Sequence, residues 1–187
     1  MSIFLYVDNS NVWIEGSRVS YAKNNNISIT DAIKKNLSDN AWRIDFGQLL
    51  NILAESNKLE KAMLFGSKPP ENDSLWEEAK KKGFEPFILD RNASNKEKGV
   101  DIKMALEISD DLHIAQKGSK FIIVSGDADY IPIIERVKNE EKDYLKGKEY
   151  MIEVAFWGHA TASKLKTSAD KFIDLANSFN LLTWKQK

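Results

Sequence analysis

Strand-like runs at 3–7, 61–65, 84–89, 121–125 and 152–157 alternate along this chain with helical patterns, and that alternation is its strongest constraint. Residues 3–7 (Ile-Phe-Leu-Tyr-Val) are apolar throughout, as in a strand covered on both faces. Helical patterns fill the intervals at 9–22, 46–55, 74–82, 99–115 and 128–139, with short helices expected at 160–166 and 169–176. Parallel strands need crossover connections, which are usually helices packed on the sheet faces. The expected fold is therefore a three-layer α/β/α sandwich with a mostly parallel central sheet.

A chain of 187 residues can bury one sizeable core, and two would be cramped. A single domain over 1–176 is expected, followed by a C-terminal tail at 177–187. The polar stretch 23–40, rich in Asn and Ser, reads as an insertion or lid with a short helix near 31–37. No apolar run approaches the roughly 20 residues that span a bilayer, so no membrane partner is expected. Residues 3–7 are too short for a secretory leader and lack its basic flank and cleavage site. The absence of cysteine excludes a disulfide framework and a thiolate metal site, and it is compatible with the reducing cytoplasm, the expected location. A net charge of −1 means that any nucleic-acid binding must come from a local basic patch.

Carboxylates gather at the ends of the strand patterns. Asp8 follows the first run; Ser125, Gly126, Asp127 and Asp129 follow the fourth. Open α/β sheets keep their ligand crevice at the C-terminal ends of strands. If the first and fourth strands are neighbours, Asp8, Asp127 and Asp129 meet there. Asp101 lies in the first turn of the long helix, in phase with Ala105, Ile108 and Leu112, and is expected to point inward at the top of the sheet. Any one of these residues would serve equally well as a helix cap or turn residue. Crowded together they repel one another unless a proton or a cation sits between them, and a hard divalent ion is the economical answer. Oxygen-only ligation, with no cysteine and only His113 and His159, points to Mg²⁺ or Mn²⁺ rather than zinc.

Four segments carry a resemblance: Val7-Asp8-Asn9-Ser10-Asn11, Lys98-Gly99-Val100-Asp101, Ser125-Gly126-Asp127-Ala128-Asp129-Tyr130, and Ser163-Lys164-Leu165 with Ala169-Asp170-Lys171-Phe172. In this order they resemble the signature segments of NYN domains of the PIN-like nuclease superfamily, most closely the LabA-like (DUF88) branch. The resemblance implies a PIN-like fold and Mg²⁺- or Mn²⁺-dependent cleavage of RNA. It makes Asp8, Asp101, Asp127 and Asp129 the acidic, catalytic and metal-holding cluster, with Asn11 and Ser125 as polar neighbours expected to contact the substrate phosphate. Asp8 and Asp127 are the expected direct ligands; Asp101 and Asp129 ligate directly or through water.

The implied partner is single-stranded or flexible RNA, and assembly with further copies of the chain is left open. Positive charge for the substrate is expected from Lys98 and Lys164, supported by Lys68, Arg91, Lys96, Lys103 and Lys166. Trp13 and Trp157 fit core positions better than base-stacking ones. Two other functions compete. One is an RNA-binding or regulatory module of the same fold with negligible turnover. The other is a phospho-acceptor receiver using Asp8, Asp90 and Ser125, against which stand the missing lysine after the fifth strand and Asn9 in place of a second acid.

Overall fold

The computed structural model describes residues 1–67, 74–89, 99–139 and 146–185. In chain order they form β1 (Ser2–Asp8), α1 (Asn9–Asn24), α2 (Ile29–Lys34), α3 (Phe46–Ala54), β2 (Lys58–Ser67), α4 (Ser74–Lys81) and β3 (Glu85–Leu89). Then come α5 (Val100–Ile114), β4 (Lys120–Val124), α6 (Ile131–Lys138), β5 (Met151–Phe156), α7 (Ser163–Ser168), β6 (Lys171–Asp174) and α8 (Phe179–Leu182). Single 3₁₀ turns cover Ala128–Tyr130, Gly158–Ala160 and Leu175–Ser178.

The strands make one six-stranded sheet in the order β3-β2-β1-β4-β5-β6, and every neighbouring pair is parallel. Helices flank it on both sides, giving the expected α/β/α sandwich, consistent with a PIN-like fold. From β1 the sheet grows outward in both directions, so the winding reverses between β1 and β4. At such a switch point the connections leave toward opposite faces and a crevice opens beyond the strands' carboxyl ends. Val7 is paired with Val124, which sets the ends of β1 and β4 level at that crevice.

Burial on both faces explains the unbroken apolar runs. Ile3, Leu5 and Val7 join Ile122, Val124, Leu49, Leu53 and Trp157 in one core layer. Phe4 and Tyr6 join Phe121, Ile123, Met104, Ile108 and Ile134 in the other. Phe4 stacks on Phe121 with ring centroids 5.1 Å apart. Each such side chain contributes about 1.5–3 kcal/mol by leaving water. Trp157 is fully buried and donates its indole N–H to the Val12 carbonyl at 3.0 Å, while half-buried Trp13 donates to Trp42 at 3.3 Å. Both are packing residues, as expected.

Four features differ from the sequence reading. Residues 169–176, expected as a helix, contain the edge strand β6, which pairs with Glu153–Phe156 of β5. A strand of four residues is too short to display its period against a helical alternative. The buried stripe of α5 is Val100, Met104, Ile108, Asp111 and Leu112, so Asp101 and Ala105 border it rather than lie on it. The segment 23–40 begins as the end of α1 and folds back along it: Asp39 accepts the Ser20 hydroxyl at 2.7 Å and donates its N–H to the Ser17 carbonyl at 2.9 Å. Beyond residue 176 the chain does not leave the core, because Phe179 and Leu182 are buried and Thr183 bridges to Ile44.

The interior also carries charge. Asp111, 3 % exposed, accepts the Tyr6 hydroxyl at 2.7 Å and the Lys61 ammonium at 2.8 Å. Lys61 also reaches Glu107 at 2.8 Å, and Glu107 pairs with Lys103 at 3.1 Å. Lys120 and Glu153 form a second buried pair at 2.8 Å. Such pairs offset their desolvation only when every partner is present.

Candidate active site

The crevice between β1 and β4 is a cleft of about 230 Å³. Asp8, Asn11, Asp101 and Asp127 line it together with Ser10 and Ile14 of α1, and Gly99 and Val100 at the start of α5 complete the wall. The fold thus brings together three of the four aspartates read from the sequence. They come from the end of β1, the first turn of α5 and the turn after β4.

Asp8 closes β1 and caps α1. Its Oδ1 accepts the Asn11 backbone N–H at 3.2 Å and its Oδ2 accepts the Asn11 side-chain amide at 2.6 Å. The residue is 6 % exposed and accepts both hydrogen bonds from Asn11, so its carboxylate has little freedom to turn away. Asp127 is exposed and caps the 3₁₀ turn, its Oδ1 accepting the Asp129 N–H at 3.0 Å. Asp101 is half-buried. The residue ahead of α5, Gly99, sits at φ 84°, in the left-handed region, and supplies no side-chain cap. The first amide groups of α5 therefore have no capping side chain, and the positive end of the helix dipole stands beside the cleft.

The remaining expected residues are placed differently. Asp129 is exposed in the same turn but is not among the residues that line the cleft. Ser125 is fully buried beneath the turn, where its hydroxyl accepts the Asp127 N–H at 3.3 Å. Lys164 is exposed on α7, which contacts the Ala128–Tyr130 turn. Lys98, with Lys68, Asp90, Arg91 and Lys96, lies outside the described residues. Lys103 is committed to Glu107, and Lys166 donates to the Gly158 carbonyl at 2.6 Å. His113 is exposed toward the end of α5. Asp170 accepts the Ile152 N–H at 2.8 Å and pairs with Lys138 at 2.8 Å, a structural anchor for β5. No residue of 23–40 lines the acidic cleft.

The donor set fits a hard divalent cation, since carboxylate, amide and hydroxyl oxygens face the cleft and neither sulfur nor imidazole does. The side chains are not drawn into a ready cage: among the described residues, no three of His, Cys, Asp and Glu group closely enough to hold an ion.

One pair escaped the sequence reading. His159 Nε2 lies 3.1 Å from Glu15 Oε2, and Arg18 pairs with the other Glu15 oxygen at 2.5 Å. Burial raises the Glu15 pKa, but the His159 hydrogen bond and the Arg18 and His159 charges outweigh it and hold the carboxyl below its ordinary value. The i,i+3 spacing of Glu15 and Arg18 was visible; the return of His159 from after β5 was not.

The NYN domain model matches residues 9–176, and the chain belongs to the NYN domain family, whose members are generally nuclease-like and fall in the PIN-like superfamily. The match begins immediately after Asp8 and takes in Asn11, Asp101, Asp127 and Asp129. No curated protein matches the chain. The chain is similar in structure to a crystallised protein of unknown function from Vibrio parahaemolyticus, with a TM-score of 0.67 and 16 % identity over 98 % of this chain and 96 % of that one. At that identity the likeness speaks to the fold.

Proposed function

We propose that this NYN domain, of the LabA-like branch, is a metal-dependent endoribonuclease acting on single-stranded or flexible RNA. The observation that carries the proposal is the convergence of Asp8, Asp101 and Asp127 on one cleft at the β1/β4 switch point of the domain. Asp8, Asp101 and Asp127 would hold Mg²⁺ or Mn²⁺, with Asp129 reaching in from the same turn. A bound divalent ion supplies Lewis-acid polarisation of a phosphoryl oxygen and a nucleophile from water.

The chain's own residues do the rest. Asn11 fixes both oxygens of Asp8, so the carboxylate meets the substrate without first reorganising. The uncapped amides at the start of α5 offer donors to phosphate oxygens. Ser125 holds the turn that presents Asp127, and Lys98 and Lys164 supply positive charge for the RNA backbone. Ile14, 41 % exposed at the cleft, gives a base or ribose an apolar surface. The reading is of a single catalytic domain acting in the cytoplasm. Among the described residues, no helix is long and apolar enough to cross a membrane.

A second reading is an RNA-binding module of the same fold with little turnover. One experiment separates the two. Labelled single-stranded RNA is incubated with wild type and Asp127→Asn across Mg²⁺ and Mn²⁺ series, with EDTA as control. The nuclease reading expects metal-dependent products that the variant does not make. RNA retained without products at every metal concentration favours the binding module, and undiminished cleavage by repurified Asp127→Asn sinks the site assignment.

A further inference from the structure

α1 borders two openings. Its first turns carry Asn11 and Ile14 into the acidic cleft, and its second half forms one wall of another hollow of about 370 Å³. Val19, Ala22 and Ile29 give this hollow apolar walls, while Lys23, Asn26 and His159 supply its polar groups. The far wall is Ala176, in the turn after β6, and His159 sits in the turn after β5. Both follow the carboxyl ends of their strands, so the hollow lies along the same sheet edge as the cleft. Asn11 and Ala22 are about 16 Å apart along the helix axis. Between the openings runs the Arg18–Glu15–His159 chain, in which Arg18 offsets the charge of Glu15.

We propose that this hollow seats a nucleobase of the strand whose backbone crosses the acidic cleft, which rests on the reading of that cleft as an RNA site. The size falls within the range of small-ligand sites, roughly 300–1,000 Å³, and the lining is of their kind, apolar with a few polar groups. A base has two apolar faces and a hydrogen-bonding edge. The aliphatic walls suit the faces, and the Asn26 amide and the His159 ring each present groups able to donate or accept to the edge. Lys23 is exposed, its ammonium 5.3 Å from the Phe179 ring centroid, and it offers a cation to the adjoining phosphate. The segment that begins at Lys23, with no part in the cleft, thereby gains a role: it closes the outer side of a base pocket.

The test is RNA binding in EDTA, so that nothing is cut. Labelled single-stranded RNAs from dinucleotide to dodecamer are titrated by fluorescence anisotropy, and a thiouridine-substituted dodecamer is photo-crosslinked and mapped by mass spectrometry. Wild-type affinity is expected to rise once the strand is long enough to reach the hollow, with crosslinks in 22–29. Lys23→Glu and Ile27→Glu, both at exposed positions on its edge, should weaken dodecamer binding about tenfold each while melting like wild type. Should they bind like wild type, with crosslinks elsewhere, the hollow is overturned and the ribonuclease reading stands. A wild-type chain that neither binds nor cuts RNA overturns both. Self-association of the wild type that Ile27→Glu abolishes assigns the hollow to a second copy and overturns the base pocket.

Discussion

Asn11 grips Asp8 through two separate hydrogen bonds, one from its backbone to Oδ1 and one from its side chain to Oδ2. The first is an ordinary helix cap that any residue but proline would make at position 11. The second, at 2.6 Å, belongs to the asparagine. It can be removed without unwinding α1, which separates positioning of the carboxylate from folding of the helix.

Asn11→Ala is therefore expected to keep the fold and to lower cleavage by about 10–100-fold, the usual effect of losing a residue that orients a ligand. Single-turnover cleavage at saturating Mn²⁺, alongside a thermal melt, measures both. A wild-type rate would show that Asp8 does not depend on its neighbour.

The turn that carries Asp127 leaves no room at Gly126. A Cβ there would run into the Phe156 ring and the Ala160 carbonyl. Gly126→Ala should destabilise by about 1–3 kcal/mol through overpacking and displace Asp127, so activity should fall in the fraction that remains folded. Gly99→Ala makes the contrast: among the described residues nothing lies within 4 Å of a Cβ there, and the left-handed backbone at φ 84° resists at about 1–2 kcal/mol. Denaturant unfolding of both variants tests the ranking.

Asp111 holds two partners and Tyr6 only contributes one. Asp111→Ala strips the Tyr6 hydroxyl of its acceptor and leaves Lys61 with Glu107 alone, and its cost is expected near the lower end of the ~3–5 kcal/mol for breaking a buried pair, because Lys61 keeps Glu107 at 2.8 Å and its side chain is 19 % exposed. Tyr6→Phe removes one hydrogen bond and should cost about 1.5–3 kcal/mol. Equal losses would mean that the ion pair adds nothing beyond the phenol contact.

The same network sets the alkaline limit. Burial, then the charge and hydrogen bond of Asp111 and the charge of Glu107, push the Tyr6 phenol far above its ordinary range. Burial lowers the Lys61 pKa, but its hydrogen bonds to Asp111 and Glu107 and their charges outweigh it, so the ammonium also keeps its proton longer than usual. In both cases the folded state holds a proton that the unfolded chain releases. The resulting stability is complete below the unfolded values and declines as pH rises above about 10. Urea unfolding across that range should show the decline, and Tyr6→Phe should make it shallower; a flat profile would refute the coupling.

Glu15 has the opposite sign. Its carboxyl is held below the ordinary 4.5 in the folded state, so its contribution is present above that value and lost as pH falls through the folded one. Glu15→Gln should flatten stability below about pH 4.5, which acid titration of the melting temperature measures. No difference from wild type would mean that the Arg18 and His159 contacts are not maintained in solution.

The sheet was legible wherever burial on both faces writes an unbroken apolar run, as in β1 and β4. It was illegible at β6, where Lys171 to Asp174 are half-exposed at an edge and four residues show no period. Asp8 and Asp127 could be assigned to one edge because strand ends are strong signals. Their meeting depended on the β1/β4 pairing, a long-range relation that a local pattern only makes conditional. Asp111 passed unnoticed because its partners, Tyr6 and Lys61, lie on two strands remote from it in sequence. His159 shows no partner in its local sequence for the same reason: Glu15 lies 144 residues away.

The reversal of strand order at β1 has a consequence for a chain still being made. Asp8 is synthesised before Asp101 of α5, but the wall that turns them into a cleft arrives only when β4 slots in beside β1. Until Lys120–Val124 has emerged and docked, β1 has a neighbour on one side alone and the acids face open water. Asp127 follows β4 and Asp8 closes β1, so the long-range pairing that completes the centre of the sheet is also the step that assembles the cleft.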